Sequence, residues 1–375
     1  MDILNSRYFI INKTLMINCG VWPYEKPIKN IIKRLLGLKK HLGLNTDNAI
    51  EHIMIILYII IILIKLITSI TTQTQLKLVL DSIIYNWSIF NDEHEKSILI
   101  KYAEKGRKLT IFYITYMITA LIGFITIPIT SIFLNIINPL NVTRPRIHVF
   151  NGEFLIDMQK HHNKIYIFDC CSCIITSILN CAADCMYAVS VEYCVALFAI
   201  VKFRLYMSLT SIDQNKLHPS KQNDVSYNLI VKTIKLHKEA INVLNILESS
   251  FSFRQLILMG INMVIFSLTS VLILTKTGQT LQILRYTLVL IGMFIHQFYT
   301  IWPGQKVLEH SEHLFHEAYT TEWYQTSSRT KILLKFLILR CCKPCQLTAG
   351  GIYILNFANF LSVFKTSISY ITVFY

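Results

Sequence analysis

"IMIILYIIIILIKLITSI", residues 53–70, is the stretch that decides the fold of this chain. Its only charged residue is Lys65, near one end. About 20 apolar residues in a helix are enough to cross the roughly 30 Å hydrocarbon core of a bilayer. This stretch therefore predicts a membrane-spanning helix.

Five further apolar runs have the length of membrane helices, and they cover residues 109–137, 165–201, 255–275, 281–301 and 347–375. The runs are longer than the strands of a membrane β-barrel and lack strict alternation of apolar and polar residues. The sequence therefore predicts an all-α, polytopic membrane bundle with six clear spans.

The composition agrees with a membrane protein. The chain has 375 residues, of which 53% are hydrophobic and 15% are charged, whereas globular proteins carry about 25% charge. The net charge of +14 comes from lysines and arginines scattered between apolar spans, without the basic patch and interleaved aromatics of a nucleic-acid-binding protein. Several cysteines lie inside apolar runs, where they act as small hydrophobic residues.

Lysine and arginine predict the orientation of the spans. The stretches at 71–108, 202–254 and 302–346 are rich in these residues, whereas the alternate connections are poorer. Basic stretches prefer the cytoplasm, so the C-terminus is expected outside. The sequon at Asn141 then lies in an outer loop and is a glycosylation candidate, while the sequons at Asn12 and Asn86 lie inside and are unused.

The N-terminal segment conflicts with this count of spans. Residues 1–50 carry eight positive charges and should also be cytoplasmic, yet only one span separates them from the basic stretch that follows. Residues 1–20 lack the clean apolar core of a signal peptide. Either the N-terminus lies outside against its charge, or a spanning helix is missing.

Six sequence blocks occur together in one order along the chain. They are "GVWPYEKP" (20–27), "YAEKGRKLTIFYITYM" (102–117), "GEFLID" (152–157), "CVALFAIVKFRL" (194–205), "WPGQKVLEHSEHLFHEAYTTEWY" (302–324) and "KPCQLTAGGIYILNFANFLSVFKTSISYITVFY" (343–375). In this order they resemble the insect odorant receptor family, in particular the odorant-specific subunits of ants, bees and wasps. The resemblance implies a seven-helix membrane protein with a cytoplasmic N-terminus, and this chain is then expected to lack the first helix.

The resemblance also implies a function. Such receptors form ligand-gated, non-selective cation channels with a common co-receptor in the plasma membrane of olfactory sensory neurons, and a tetrameric heteromer is expected. A small volatile odorant is the ligand, the lipid bilayer surrounds the protein, and neither a cofactor nor nucleic acid is involved.

In the last helix, Ser362, Thr366, Ser369 and Thr372 follow helical spacing and form one polar stripe, which the resemblance assigns to the pore. Val373 is expected to form a hydrophobic gate that closes by dewetting. Phe364, Ile368 and Ile371 are expected to meet other helices. The alternative is that the hydroxyls bond back to their own helix or to a neighbouring helix.

The odorant pocket is expected in the outer halves of the helices, where burial of apolar surface supplies most of the binding energy. The candidates are aromatic and hydroxyl side chains: Tyr58, Phe124, Phe133, Tyr166, Phe168, Tyr286 and Thr287. Ordinary helix packing is the alternative for each.

Other chemistry is weaker in this sequence. Cys342 and Cys345 have CxxC spacing, and His310, His313 and His316 lie three apart, but a zinc site usually needs more ligands in register. The intramembrane acids Asp169 and Asp184 should face protein or water, and could pair with Lys164 or an outer-loop arginine, or attract cations.

No nucleotide-binding loop or catalytic motif is present in the sequence, so an enzyme is not expected. A gustatory-type chemoreceptor and a non-functional odorant receptor remnant stay as alternatives. The predicted organisation is a cytoplasmic or interfacial segment at 1–50, a membrane bundle with an outer odorant pocket at 51–301, a cytoplasmic anchor region at 302–346, and a pore-lining last helix at 347–375.

Overall fold

A computed structural model describes residues 3–19, 21–24, 49–137, 161–210, 225–275, 280–321 and 323–374. Within these ranges the chain is almost entirely helical. The helices are α1 (Ile10–Asn18), α2 (Ala49–Thr71), α3 (Gln73–Ile89), α4 (Glu93–Ile137), α5 (His162–Thr210), α6 (Val225–Thr275), α7 (Thr280–Thr320), α8 (Ser328–Cys341) and α9 (Phe357–Phe374). Short 3-10 turns occur at Ile3–Asn5 and Trp323–Gln325.

Four helices in the described part are long and apolar enough to cross a membrane: α2, α4, α5 and α6. They contain the predicted spans at 53–70, 109–137, 165–201 and 255–275, which confirms the all-α, multi-pass class. The span predicted at 281–301 falls in α7 and the span predicted at 347–375 overlaps α9, but these two helices are not among the four. The interval 25–48, where the sequence suggests a missing first helix, lies outside the described residues.

Several helices are much longer than a bilayer crossing. At 1.5 Å per residue, the 45, 49, 51 and 41 residues of α4, α5, α6 and α7 give lengths of roughly 60–75 Å, about twice the hydrocarbon core. The predicted end of the fifth span, residue 301, lies inside a continuous helix, because α7 runs on to Thr320.

Helix α5 lies at the centre of the bundle. Every residue from 179 to 198 is buried, and α5 packs against α1, α2, α4, α6 and α7. Small residues such as Ala182, Cys185, Ala188 and Ala196 permit close approach of neighbouring helices around its circumference. A helix that is buried all round must also bury its polar residues, and α5 contains Asn180, Asp184 and Glu192 in this part.

The last helix begins later than the sequence predicts. Residues 347–356 form a connection that contains a two-stranded antiparallel hairpin, β1 (Thr348–Ala349) and β2 (Tyr353–Ile354), and α9 starts only at Phe357. Gly350 and Gly351 in the turn have φ angles of 65° and 72°. These left-handed conformations favour glycine and are incompatible with a right-handed helix. A helix therefore cannot run from residue 347 through this turn.

The hairpin and the start of α9 are held by α6 and α7. The Thr348 amide and hydroxyl both donate to the Glu248 carboxylate of α6, and the Gly350 amide donates to the Ser252 carbonyl at 2.9 Å. The Phe357 amide, in the first turn of α9, donates to Gln305 Oε1 of α7 at 3.1 Å. Side chains of the two preceding long helices thus position the base of the last helix.

The two sequons that are expected to be unused, at Asn12 and Asn86, are buried. Asn12 is 2% exposed and lies within 3.5 Å of the Thr110 hydroxyl, and Asn86 is 2% exposed and donates to Tyr193 and Glu239. A buried, hydrogen-bonded amide is inaccessible to a glycosyltransferase. Asn141 lies outside the described residues.

Gly304 of α7 gives a test of the junction with α9. A Cβ atom at this position would lie 2.5 Å from the Leu355 carbonyl oxygen, so Gly304→Ala must push the β2–α9 connection away. We expect a loss of about 1–3 kcal/mol in unfolding free energy, measured as a lower thermal midpoint of the purified protein. Gly260→Ala on α6 is the matched control, because nothing lies within 4 Å of the added carbon. Equal midpoints for the two variants would contradict the close contact.

Candidate functional site

A buried ion pair joins the first and third candidate spans. Lys65 Nζ of α2 lies 2.6 Å from Asp184 Oδ2 of α5, and both side chains are at most 2% exposed. The expectation that Asp184 faces protein is confirmed. The sequence left open whether Asp184 pairs with Lys164 or an outer-loop arginine or attracts cations. The structure pairs it with Lys65, which in the sequence only interrupts an apolar run.

His296 of α7 and Tyr113 of α4 complete this pair to a cluster. His296 Nδ1 lies 2.8 Å from the Tyr113 hydroxyl, and His296 Nε2 lies 3.4 Å from Lys65 Nζ. The Tyr113 hydroxyl lies 3.1 Å from Asp184 Oδ2. Four helices therefore meet in one set of polar side chains, which we call the charge cluster (Lys65, Tyr113, Asp184, His296).

One assignment of hydrogens gives every bond in the charge cluster a donor and an acceptor. Lys65 donates to Asp184 and to Nε2 of His296, the Nδ1–H of His296 donates to the Tyr113 oxygen, and the Tyr113 hydroxyl donates to Asp184. The assignment follows from the contacts, since an imidazole with one hydrogen donates through one nitrogen and accepts through the other. The result is a closed ring of hydrogen bonds.

Aromatic side chains surround the charge cluster. The Tyr299 ring stacks on Tyr113 with centroids 4.0 Å apart. Arg254 of α6 is 2% exposed, and its guanidinium lies 4.6 Å from the Phe251 ring and 5.6 Å from the Tyr187 ring. Among the described residues the nitrogens of Arg254 have no hydrogen-bond partner, and the guanidinium contacts both ring faces through cation–π interactions.

The predicted ligand residues in the outer halves of the helices fall into two groups. In the first, aromatic residues join helices through polar contacts. Tyr286 is 3% exposed and donates to the Glu51 carboxylate of α2, and the Arg285 guanidinium lies 5.2 Å from the Phe124 ring centroid. The Tyr166 hydroxyl donates to the Ile125 carbonyl at 3.1 Å. Helices α2, α4, α5 and α7 are thereby brought together.

Tyr58 joins α2 to α5 closer to the charge cluster. Its hydroxyl accepts a 2.9 Å hydrogen bond from Asn180 Nδ2, and its side chain is 38% exposed. Asn180 is one helical turn before Asp184, and Tyr58 is two turns before Lys65. The two polar contacts thus link the same pair of helices at successive levels.

The second group of predicted ligand residues does not join helices in this way. Phe133 and Phe168 are 61% and 51% exposed on the surface of the chain. The Thr287 hydroxyl donates to the Ile283 carbonyl of its own helix at 2.8 Å. Sequence reasoning missed Glu51, Asn180 and Arg285, although polar residues within apolar spans are themselves a signal of buried partners.

Helix α9 presents two different faces. Phe364 packs against Phe266 of α6 and Phe294 of α7, with centroids 4.5 and 4.9 Å apart, as expected. Ser362, Thr366 and Ser369 are exposed, and the Thr366 hydroxyl donates to the Ser362 carbonyl at 2.9 Å. Ile368 is 50% exposed. The side chains of Ile371, Thr372 and Val373 lie outside the described part of the structure.

The C-terminal part of α7 shows no metal-binding arrangement among the described residues. His310, beyond the predicted span 281–301, lies 2.7 Å from the Tyr102 hydroxyl through Nε2 and 2.8 Å from the Lys306 carbonyl through Nδ1. Burial lowers the pKa of His310. Both nitrogens are thus engaged, and no group of three metal-ligating side chains is found among the described residues, His313, His316, Cys342 and Cys345 included.

These features define a multi-pass helical membrane protein with a polar core and one partly exposed last helix. The family model described as 7tm odorant receptor matches residues 45–368. The chain therefore belongs to the insect odorant receptor family, which confirms the resemblance and, because these proteins are receptors, the expectation that it is not an enzyme.

Individual relatives agree with the family. The chain is 26% identical to odorant receptor 10 of Aedes albopictus over 196 residues, which is 50% of each protein. It is 30% identical to odorant receptor 67b of Drosophila melanogaster over 112 residues, 28% of this chain and 27% of that receptor. The matches thus span half or less of these relatives.

Two solved structures share the fold. The olfactory receptor OR5 of Machilis hrabei matches with a TM-score of 0.73 when solved with eugenol and 0.70 in a second structure. In both cases the identity is 13%, and the alignment covers 98% of this chain and 88% of that receptor.

The Lys65–Asp184 pair predicts a specific pattern of stabilities. Lys65→Met leaves a buried carboxylate without its counter-ion, which should cost about 3–5 kcal/mol, whereas Lys65→Met with Asp184→Leu removes both charges and should recover most of that loss. The measurement is the fraction of monodisperse protein after heating, followed by size exclusion.

An exposed ion pair provides the control. Lys202 and Glu317 are 2.6 Å apart, with side chains 44% and 35% exposed, so Lys202→Met should change stability by no more than about 1 kcal/mol. A double variant at Lys65 and Asp184 that is as unstable as the single variant would contradict the pairing.

Proposed function

We propose that this chain is the odorant-binding subunit of a cation channel that it forms with the common co-receptor. The observation that carries the proposal is the match of most of the chain to the odorant receptor family. The channel is expected in the plasma membrane of olfactory sensory neurons, as a heteromer of four subunits.

The proposed ligand is a small volatile molecule that binds in the outer half of the bundle. Support comes from the aromatic side chains of Tyr58, Phe124, Tyr166 and Tyr286, which contact polar groups of neighbouring helices. Apolar walls with a few polar groups are typical of small-molecule sites. The similar receptor OR5 was solved in complex with eugenol, a small aromatic molecule.

The segments then take different roles in the proposed channel. Residues 1–50 form a cytoplasmic or interfacial segment, and residues 51–301 form the bundle with the odorant pocket. Residues 302–346 form the cytoplasmic anchor region. In the segment 347–375, the part from Phe357 onward lines the pore.

Co-expression tests the proposal. Together with the co-receptor, the chain should give odorant-evoked cation current, and without the co-receptor it should give little. Phe124→Ala removes an aromatic wall and should weaken the response about tenfold in half-maximal concentration, equivalent to about 1.4 kcal/mol, with the maximal current retained. Current is recorded by voltage clamp across a broad panel of volatile molecules.

Ile122→Ala is the matched control for Phe124→Ala, since Ile122 is on the same helix and 57% exposed. Equal concentration shifts in both variants would argue against the pocket. Silence of the wild-type subunit with surface expression demonstrated would instead favour the non-functional alternative.

The exposed hydroxyl stripe of α9 supports the proposed pore role, with Val373 as the gate. Thr366→Lys places a positive charge on this stripe. Repulsion of about 1 kcal/mol between charges ~4 Å apart in water should reduce the inward cation current about fivefold. Thr366→Val, which keeps the shape without the charge, should reduce it less. Unchanged current and reversal potential in Thr366→Lys would place the stripe away from the ion path.

A further inference from the structure

One face of α7 is fixed to the charge cluster. Gly292, His296 and Tyr299 follow one another at spacings of four and three residues and so share this face. The Tyr116 hydroxyl would lie 2.7 Å from a Cβ atom on Gly292, which shows how closely α4 approaches. His296 is part of the closed ring, and Tyr299 stacks on Tyr113. This face of α7 is therefore held by α2, α4 and α5.

Another face of α7 packs against the last helix through aromatic rings. Phe298 stacks on Phe357 with centroids 5.5 Å apart and planes 4° apart, and Trp302 lies 5.7 Å from Phe357. Phe294 makes an edge contact with Phe364 at 4.9 Å. About three turns after Phe294, the Gln305 Oε1 of α7 accepts a hydrogen bond from the Phe357 amide. The first two turns of α9, from Phe357 to Phe364, thus pack against α7.

We propose that His296 is a positioning residue: it fixes α7 against the outer bundle, and α7 in turn fixes α9. The observation that carries the proposal is the position of His296 on α7. His296 bonds to Lys65 and Tyr113, while Phe294 and Phe298, two residues away on either side, pack against α9. In the described part of the chain, the hydrogen bonds and ring contacts of His296 do not involve α9. Removing it should therefore change α9 at a distance.

The consequence for gating rests on the proposed function. Helices α2, α4, α5 and α7 carry both the predicted odorant residues and the charge cluster. A ligand that shifts these helices has two possible effects. Either α7 moves with them and the ring of hydrogen bonds is kept, or the ring breaks. These are two discrete arrangements, with no continuous series between them. A contiguous set of contacts with discrete arrangements is the physical basis on which two sites become coupled.

The first experiment requires no odorant. Hydrogen exchange of α9 amides is followed by mass spectrometry on purified protein in lipid nanodiscs. His296→Phe keeps a ring but removes both nitrogens, and should speed exchange in α9 by about tenfold, within the range found for coupled sites. His296→Asn, which retains a donor near the position of Nδ1, should restore much of the protection. Ile291→Ala, at a 50% exposed position of α7, is the control and should leave α9 unchanged.

Unchanged exchange of α9 in His296→Phe, or an equal increase in Ile291→Ala, would overturn the proposal. If His296→Phe fails to give monodisperse protein, the comparison is made between wild type and His296→Asn, which should show a smaller increase confined to α7 and α9. An increase spread evenly over all helices would indicate only a general loss of stability and would also overturn the proposal.

A double-mutant cycle on odorant-evoked current provides the second test. His296→Phe and Phe298→Leu interrupt the same path and should be non-additive in their effects on maximal current, with little change in half-maximal concentration. Tyr102→Phe removes the hydrogen bond to His310, which lies nearer the C-terminal end of α7. Its effect on maximal current should be additive with that of Phe298→Leu. Additivity of the first pair would contradict the path. Absence of any current in wild type would count against the proposed function, while the exchange result would still decide the positioning role.

Discussion

The ion pair between Lys65 and Asp184 is the interaction that constrains the arrangement of the membrane bundle. A charged group in hydrocarbon is costly unless it is paired and its remaining hydrogen-bonding groups are satisfied. Lys65 alone would destabilise α2, and Asp184 alone would destabilise α5, so the two helices must lie side by side with these residues at one depth. The contact with His296 then fixes α7, and the contact with Tyr113 fixes α4.

The central position of α5 follows from the same requirement. Its buried part combines small residues, which let other helices approach closely, with polar residues that need partners on several sides. Asn180 bonds to Tyr58 of α2, and Asp184 bonds to α2 and α4. Packing alone would permit α5 to rotate about its axis or to slide along its neighbours. Polar contacts at two levels against α2 exclude both movements, and hydrogen bonds thereby specify an arrangement that apolar packing leaves open.

The amino-acid sequence predicts the helices well because hydropathy and helix length are local properties. The apolar run 53–70 predicts α2 almost to its ends. The predicted last helix starts too early, because "AGG" at residues 349–351 contains the turn that delays α9 until Phe357. The charge cluster is different, because Lys65 and His296 are separated by 231 residues and meet only in the fold. A lone lysine in an apolar run indicates that a partner exists without indicating which acid supplies it. The pocket candidates also show that the sequence does not identify contacts. Tyr286 and Phe133 are both aromatic residues in apolar runs, but Tyr286 is buried against Glu51 and Phe133 is exposed.

The hydroxyl stripe of α9 was predicted either to bond back to its own helix or to face an ion path, and the geometry of Thr366 makes these two roles compatible. A threonine hydroxyl has one hydrogen and two lone pairs. The hydrogen is used in the bond to the Ser362 carbonyl, while the side chain remains exposed. The oxygen lone pairs are then directed away from the helix, and oxygen lone pairs are what a cation or its hydration water requires. Back-bonding thus orients the hydroxyl as an acceptor, and because α9 is held on its opposite side by Phe294 and Phe298, a movement of α7 would change where these oxygens point.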